Sequence, residues 1–303
     1  MIYTITANPS IDYVLSLDKL NLGEVNRTET SYMFAGGKGI NVSRILGNLR
    51  LDSVAWGFIG GSTGEFIKKT LTKAAIETQF TNIKEDTRTN VKIKAQQETE
   101  INCAGPTITH NELEDFMSNF AMLNSGDIVV ASGSVPPSLG KEFYPEIIKA
   151  VADHHAEFVI DTTGQALLDI LPSHPLLVKP NREELSEMFN VKLDQMSDVI
   201  HYGKELLKMG AQHVIVSMGG DGAVMITPDH VYQSIPIKIT IKNSVGAGDS
   251  MVAGFVGEYH AKKNSLDAFK LGVACGSATA ASEDLAQASL IKEMLAKAEI
   301  NEI

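Results

Sequence analysis

Short runs of β-branched and other apolar residues alternate along the whole chain with stretches whose apolar positions recur every three to four residues. This is the pattern of parallel strands joined by helical crossovers. The runs predict strands at 2–6, 53–58, 127–131, 158–161, 176–179, 213–217 and 223–226. Helical spacing is clearest at Val42, Ile45, Leu46 and Leu49, which share one face as i, i+3, i+4 and i+7. Further helices are predicted over 112–123, 145–152, 183–189, 199–209 and 266–281. Together these give an α/β fold with a mostly parallel central sheet flanked by helices. No internal repeat, low-complexity tract or linker interrupts the 303 residues, which therefore read as one domain.

Two stretches break this rhythm. Thr89-Asn90-Val91-Lys92-Ile93-Lys94-Ala95-Gln96 alternates polar and apolar positions, as does part of 25–34, and neither leads promptly into a crossover helix. Period-two strands suit a small sheet with one wet face. Segments at about 10–35 and 87–103 are therefore expected to form a β-sheet lid that covers a site or makes a dimer contact. The alternative is a pair of edge strands on the main sheet.

Composition narrows the partners. A hydrophobic share of 44% can bury a large core, and a formal net charge of −11 argues against nucleic acid or an anionic membrane surface as partner. Only Cys103 and Cys275 are present, far apart and without metal-ligand spacing, so a disulfide framework or zinc site is not expected. The first ten residues read as a strand and turn rather than a leader, and no apolar run approaches bilayer-spanning length. A cytoplasmic protein is the expectation.

The candidate chemistry gathers after the predicted strands. Ser132-Gly133-Ser134, Asp161-Thr162-Thr163-Gly164, Lys179-Pro180-Asn181 and Ser217-Met218-Gly219-Gly220-Asp221-Gly222 each follow a strand directly. In an open parallel sheet ligands bind outside the carboxyl ends of the strands, so these loops should line one edge together. Singly, Lys179-Pro180-Asn181 reads as a strand exit and Gly219-Gly220-Asp221-Gly222 as a hairpin turn.

The most informative stretch is Asn243-Ser244-Val245-Gly246-Ala247-Gly248-Asp249. Two glycines bend the backbone tightly before a helix running from about Ser250, which supplies unpaired N–H donors and a positive dipole end, so phosphate should bind there. A carboxylate beside bound phosphate is repelled by it, and Asp249 gains a purpose if it takes a proton from a hydroxyl that attacks that phosphate. The bland alternative is an acidic first helical turn.

A second anion cradle is Gly36-Gly37-Lys38-Gly39-Ile40-Asn41 at the start of the helix carrying Val42. It is not a Walker A loop, since no Ser or Thr follows Lys38, and no GxGxxG follows a strand, which disfavours dinucleotide binding. Arg27, Lys38, Arg88 and Lys92 are the cations that would surround a substrate phosphate, with Arg88 able to grip it bidentately. Asp12 follows the first strand and could accept hydrogen bonds from sugar hydroxyls. Asn181 and Glu184, three residues apart, share a face of a starting helix, so the carboxylate could hold water on magnesium or could belong to a helix cap.

These motifs resemble the ribokinase-like sugar kinases of the phosphofructokinase B family over essentially the whole chain. The resemblance is carried by Asn8-Pro9-Ser10-Ile11-Asp12, Gly36-Gly37-Lys38-Gly39-Ile40-Asn41-Val42, Ser132-Gly133-Ser134-Val135-Pro136, Val178-Lys179-Pro180-Asn181-Arg182-Glu183-Glu184 and Val245-Gly246-Ala247-Gly248-Asp249. Within the family, residues 36–43 together with Glu98-Thr99-Glu100-Ile101-Asn102 and Gly105-Pro106 most resemble the branch acting on fructose 1-phosphate. The resemblance implies transfer of the γ-phosphoryl group of ATP, with Mg²⁺, to the 6-hydroxyl of that sugar. Tagatose 6-phosphate or fructose 6-phosphate are the alternative acceptors, and a non-catalytic sugar-phosphate binding protein is the alternative of another class. It implies Asp249 as base, with an anion hole at Gly246, Ala247, Gly248 and Asp249. Substrate contacts are implied at Asp12, Arg27, Gly37, Lys38, Asn41, Arg88, Lys92 and Ser134. Nucleotide contacts are implied at Lys179, Asn181, Ser217, Gly219, Gly222 and Gly248, a magnesium-organising role for Glu184, and a position near adenine for Cys275 and Ser277. A homodimer paired through the lid is the implied assembly. Asn243-Ser244 departs from many relatives, which carry acidic or threonine residues there.

Overall fold

The computed structural model describes residues 1–28 and 30–303; Glu29, within the predicted lid segment, lies outside the described residues. The strands are β1 (Ile2–Thr6), β2 (Ser10–Ser16), β3 (Thr30–Gly36), β4 (Ser53–Ile59), β5 (Glu77–Asn82), β6 (Arg88–Lys94), β7 (Thr99–Ile101), β8 (Ile128–Ser132), β9 (Glu157–Asp161), β10 (Val214–Ser217), β11 (Ala223–Ile226), β12 (Val231–Ser234) and β13 (Ile300–Glu302). The helices are α1 (Lys38–Asn48), α2 (Gly61–Lys73), α3 (His110–Ser118), α4 (Phe143–Asp153), α5 (Gly164–Ile170), α6 (Arg182–Phe189), α7 (Met196–Lys208), α8 (Ala247–Lys262), α9 (Ser265–Ala280) and α10 (Ala288–Lys297).

The central sheet begins with five parallel strands in the order β5-β4-β1-β8-β9. Leu177 bridges to Val159 and Val178 bridges to Val214, both in parallel, and the antiparallel strands β10-β11-β12-β13 follow. The strand expected at 176–179 is thus reduced to isolated bridges. Pro175 and Pro180 bracket it, and a proline has no N–H to lengthen a ladder. Every residue of β1, β4 and β8 is buried, as strands covered by helices on both faces must be.

Side-chain alternation divides the core in two. One cluster takes Tyr3, Ile5, Trp56, Phe58 and Val129 and packs against Phe116 and Phe143 of α3 and α4. The other takes Ile2, Ile128 and Val130 and packs against Ile45 and Leu46 of α1, Phe255 of α8 and Phe269 of α9. Trp56 and Phe58 are fully buried, and burying side chains of this kind stabilises by about 1.5–3 kcal/mol each.

Strands β2, β3, β6 and β7 form a separate four-stranded sheet in the order β3-β2-β6-β7. It is antiparallel at β2–β3 and β6–β7 and parallel at β2–β6. One expectation needs correction: β3 does lead promptly into a helix, since Gly37 alone separates it from α1. The predicted helix at 112–123 also breaks, with α3 ending at Ser118 and a tighter 3₁₀ turn covering Asn119–Met122. Among the described residues no helix is long and apolar enough to cross a membrane.

Candidate active site

A cavity of about 1030 Å³ opens where the carboxyl ends of the central strands face the second sheet. Period-two alternation explains the face that sheet presents. Ser10 and Asp12 of β2 lie across from Arg88 and Asn90 of β6, with Lys92 two residues further, and all five side chains line the cavity. The opposite wall comes from loops after β8, β9 and β10 and from the first turns of α1, α6 and α8.

The turn before α8 is built on Gly246, whose φ of 79° places it in the left-handed region that suits glycine. Ala247 N–H turns back to Ser244 O at 3.3 Å, and the first bond of the helix proper is Ser250 N–H to Gly246 O at 2.9 Å. The amides of Gly248 and Asp249 lie in the open first turn, where a helix has donors without intrahelical partners. Ala247, expected as an equal donor, is thus partly committed to closing the turn. Lys179 Nζ approaches the same turn, 3.0 Å from where a Cβ on Gly248 would stand. A cation and helix-start amides therefore converge on one point, which makes an anion site.

Asp249 is buried and lines the cavity. Asn41 Nδ2 donates to its Oδ2 at 2.8 Å. Burial, reinforced by the negative charge of Asp161, pushes its carboxyl up to about 6, while the Asn41 hydrogen bond and the nearby Lys38 and Lys179 restrain the rise. Asp161, the last residue of β9, is also buried, yet it stays below the usual carboxylate range: burial raises it, but Lys179 and Lys38 together outweigh burial. Lys38 Nζ stands 2.9 Å from its Oδ2 and Lys179 Nζ 3.9 Å from its Oδ1. Two buried carboxylates are thus held in opposite protonation tendencies, an environment that general acid–base chemistry uses.

On the second sheet, Asp12 accepts from Ser10 Oγ at 2.8 Å and Asn90 Nδ2 at 3.2 Å, and Lys92 Nζ stands 3.4 Å away. Gly36 lets this carboxyl approach the backbone of the cradle; a Cβ there would stand 2.6 Å from its Cγ. Lys92 is also 3.7 Å from Glu100, so carboxylates already offset its charge. Arg88 spans the two parts of the molecule. Its Nη1 donates to Cys103 O at 2.6 Å, and its Nη2 donates to Asn8 O at 2.9 Å and Ser134 Oγ at 3.3 Å. Arg27 does not join this group. The β2–β3 register puts Ser10 and Gly36 at the cavity end and Ser16 and Thr30 at the far end. Arg27 lies outside β3, past its far end, exposed and outside the lining.

The remaining wall carries Lys179, Asn181, Glu184, Ser217, Gly219 and Gly222. Asn181 and Glu184 form a reciprocal cap on α6: Glu184 N–H donates to Asn181 Oδ1 and Asn181 N–H donates to Glu184 Oε2, both at 2.8 Å. The capping role is therefore realised, and Glu184 still faces the cavity. Among the described residues no group of three or more His, Cys, Asp or Glu is arranged to hold a metal ion. A magnesium ion here fits only as one carried by phosphates, with a single carboxylate near its water shell, which is how that ion is usually bound. Gly219–Asp221 is a short turn joining β10 to antiparallel β11, a hairpin as well as part of the wall. Ser277 lines the cavity, whereas Cys275 does not: it is fully buried against the backbone of Gly254 in the α8–α9 packing.

Three parts of the site went unassigned by sequence pattern. Asp161 was visible only as one of several post-strand residues. Asn8 and Asn90 became part of the wall because β1 ends and β6 passes beside it. The apolar flank at Ile235, Ile237, Ile239 and Ile241 alternates along an extended segment after β12, and that alternation was the available signal.

The chain is similar to known proteins over its whole length. Residues 3–292 match the model of the pfkB family carbohydrate kinases. The chain is 44% identical to 1-phosphofructokinase of Bacillus subtilis, over 100% of both. It is 33% identical to D-tagatose-1-phosphate kinase of Bacillus licheniformis, again over 100% of both. Phosphofructokinase-2 of Escherichia coli, solved in complex with substrates and products, superposes with a TM-score of 0.92 at 29% identity, covering 98% of each chain. The chain belongs to the pfkB family of carbohydrate kinases.

Proposed function

We propose that this protein transfers the γ-phosphoryl group of ATP to the 6-hydroxyl of fructose 1-phosphate, giving fructose 1,6-bisphosphate. The observation that carries the reading is Asp249 itself, a buried carboxylate held by Asn41 in the first turn of the helix whose open amides and Lys179 form an anion site. The Asp249 carboxylate takes the proton as the sugar oxygen attacks phosphorus. The bond from that oxygen to phosphorus forms while the bond from phosphorus to the β-phosphate oxygen breaks. The amides of Gly248 and Asp249 meet charge on the transferring group, and Lys179 flanks it. Magnesium, when bound with the nucleotide, would offset charge on its phosphates, with Glu184 and Asn181 the residues placed to hold its water shell. Ser217, Gly219 and Gly222 face the nucleotide, and the apolar 235–241 segment with Ser277 suits its base.

At the sugar end, Arg88, Lys92, Lys38 and Ser134 hold the substrate's own phosphate, while Asp12, Asn41 and the Gly37 backbone position its hydroxyls. The second sheet acts as the lid, excluding water that would otherwise accept the phosphoryl group. A C1 phosphate is favoured because the relative at 44% identity is a 1-phosphofructokinase and a D-tagatose-1-phosphate kinase also matches over the full chain. Tagatose 1-phosphate, which shares the C1 phosphate and the C6 hydroxyl, is the second acceptor to consider. Met33 and Ile101, exposed and in one cross-strand row on the face of the second sheet turned away from the cavity, are apolar positions that a second copy of this chain would cover. Both cysteines are free thiols, which suits a reducing cytoplasm.

The test is one coupled assay comparing kcat/KM for fructose 1-phosphate, tagatose 1-phosphate, fructose 6-phosphate and tagatose 6-phosphate. Fructose 1-phosphate should exceed each 6-phosphate by at least tenfold. A preference for either 6-phosphate would contradict the assignment.

A further inference from the structure

Polar side chains of α1 descend one face of that helix. Lys38, Asn41, Arg44 and Asn48 are spaced by three, three and four residues, and each is tied to a residue distant in sequence. Lys38 and Asn41 reach Asp161 and Asp249, which belong to the site. Arg44 and Asn48 instead grip a segment outside the cavity lining. The guanidinium of Arg44 forks onto both oxygens of Asp284, Nη1 donating to Oδ1 at 3.2 Å and Nη2 to Oδ2, and Asn48 Nδ2 donates to Ala286 O at 2.8 Å.

Leu285 stands between these two anchors, buried, and is pressed against the glycine turn. A Cβ on Gly246 would stand 2.7 Å from Leu285 Cδ2 and 3.7 Å from Asn41 Nδ2. A second route fastens the same segment to the same turn. Ala286 N–H donates to Thr279 Oγ1 at 3.2 Å, Thr279 Oγ1 pairs with Ser250 Oγ at 2.8 Å, and Ser250 Oγ donates to Gly246 O at 2.7 Å.

We propose that Arg44 and Asp284 are positioning residues for phosphoryl transfer: their forked ion pair fixes the 284–286 segment to α1, and Leu285 transmits that spacing to Gly246. The anion-receiving turn and the Asn41-held carboxylate then keep one mutual geometry. The inference rests on the phosphoryl-transfer reading above. The pair is only partly buried, with side-chain exposures of 20% and 39%, and such pairs add little to global stability. What the fork supplies is direction, since a planar guanidinium meeting a carboxylate at two points resists rotation. Direction matters here because a misplacement of about 1 Å at a reacting centre can cost ~10²-fold in rate.

The experiment compares Arg44→Ala, Arg44→Lys, Asp284→Asn and the charge-swapped pair Arg44→Asp with Asp284→Arg. For each, kcat, both KM values, the pH profile and the thermal midpoint are measured. Arg44→Ala and Asp284→Asn should lower kcat by about tenfold to a hundredfold, with both KM values within about threefold of wild type. Arg44→Lys, which keeps the charge and loses the fork, should fall between. The acid limb of kcat/KM should move to higher pH in the single variants, because a loosened Asn41 bond no longer favours ionised Asp249. The charge swap should regain most of the lost kcat. Single variants with kcat within twofold of wild type, whatever their thermal midpoint, overturn the proposal, and so does a charge swap that regains nothing. If Arg44→Ala does not fold, Asp284→Asn and the swap still decide. Failure of the phosphoryl-transfer reading would appear separately, as a wild-type protein inactive on every ketose phosphate or as full activity in Asp249→Asn.

Discussion

Asn41 Nδ2 and Asp249 Oδ2 lie 2.8 Å apart, joining residues 208 positions apart in sequence. One comes from the helix that opens on the Gly36-Gly37 cradle, the other from the helix that opens on the Gly246 turn. The bond occupies one carboxylate oxygen and leaves the other to accept a proton, so the sugar side and the phosphate side of the site share a single hinge point.

Removing that bond has a defined consequence. Asn41→Ala should lower kcat by about tenfold or more, the scale typical of a group that orients a general base. Because a hydrogen bond to the charged form favours ionisation, its loss should move the acid limb of kcat/KM to higher pH. A pH–rate series on Asn41→Ala with the limb unmoved would remove Asn41 from this role.

Asp161→Asn should move the limb the other way. Its negative charge helps hold Asp249 up to about 6, and it also engages Lys38 and Lys179. Without it, Asp249 faces two less-neutralised cations and ionises at lower pH. Substrate phosphate titrates near pH 6 as well, so the informative quantity is the displacement between variant and wild type. The plateau rate should fall at the same time, since a weaker base serves and both lysines lose their anchor.

Burial of the Asp249 charge also predicts a stability effect with a fixed sign. Its folded-state pKa is raised from 3.8 to about 6, so the folded form binds more protons between those values and loses stability as pH rises through that window. Asp249→Asn removes the buried charge, so the variant should be more stable than wild type at pH 8, by on the order of 1–3 kcal/mol at one to two pKa units. At pH 5 wild-type Asp249 is largely protonated and the gap should narrow. Denaturant melts at the two pH values check this, and an equal gap at both contradicts the buried-charge account.

At the lid, Arg88→Ala should raise KM for the sugar phosphate about tenfold to a hundredfold with a smaller effect on kcat, because it removes binding rather than chemistry. Arg88→Lys should recover little, since a single ammonium cannot reach the carbonyls of Cys103 and Asn8 and Ser134 Oγ in the same fork. Initial-rate kinetics over sugar-phosphate concentration separate the two parameters.

Much of this site was legible in the sequence because its residues follow local rules. Gly246, Gly248 and Asp249 announce a helix-start anion site, and Arg88 and Lys92 fall on one face by simple alternation. Asp161 was harder to assign because its meaning depends on Lys38 of α1 and Lys179 of the bridged segment before α6, a convergence only the tertiary fold shows. Arg27 falls outside this chain's cavity because composition says which strands carry cations but not which end of a hairpin meets the cavity; register decides that. The start of α8 at Ala247 was set late because this helix is buried almost all round and offers no amphipathic stripe to mark its limits. Strand β5 has only part of one face covered, and β12 and β13 are short, so their patterns did not stand out.

The most direct test of the whole account is turnover by Asp249→Asn, measured beside binding of ATP and fructose 1-phosphate to the same preparation. The account predicts that both ligands bind within about threefold of wild type while kcat falls by about 10²-fold or more, the range expected for loss of a general base. A variant that binds both ligands and keeps more than about a tenth of wild-type kcat would contradict it.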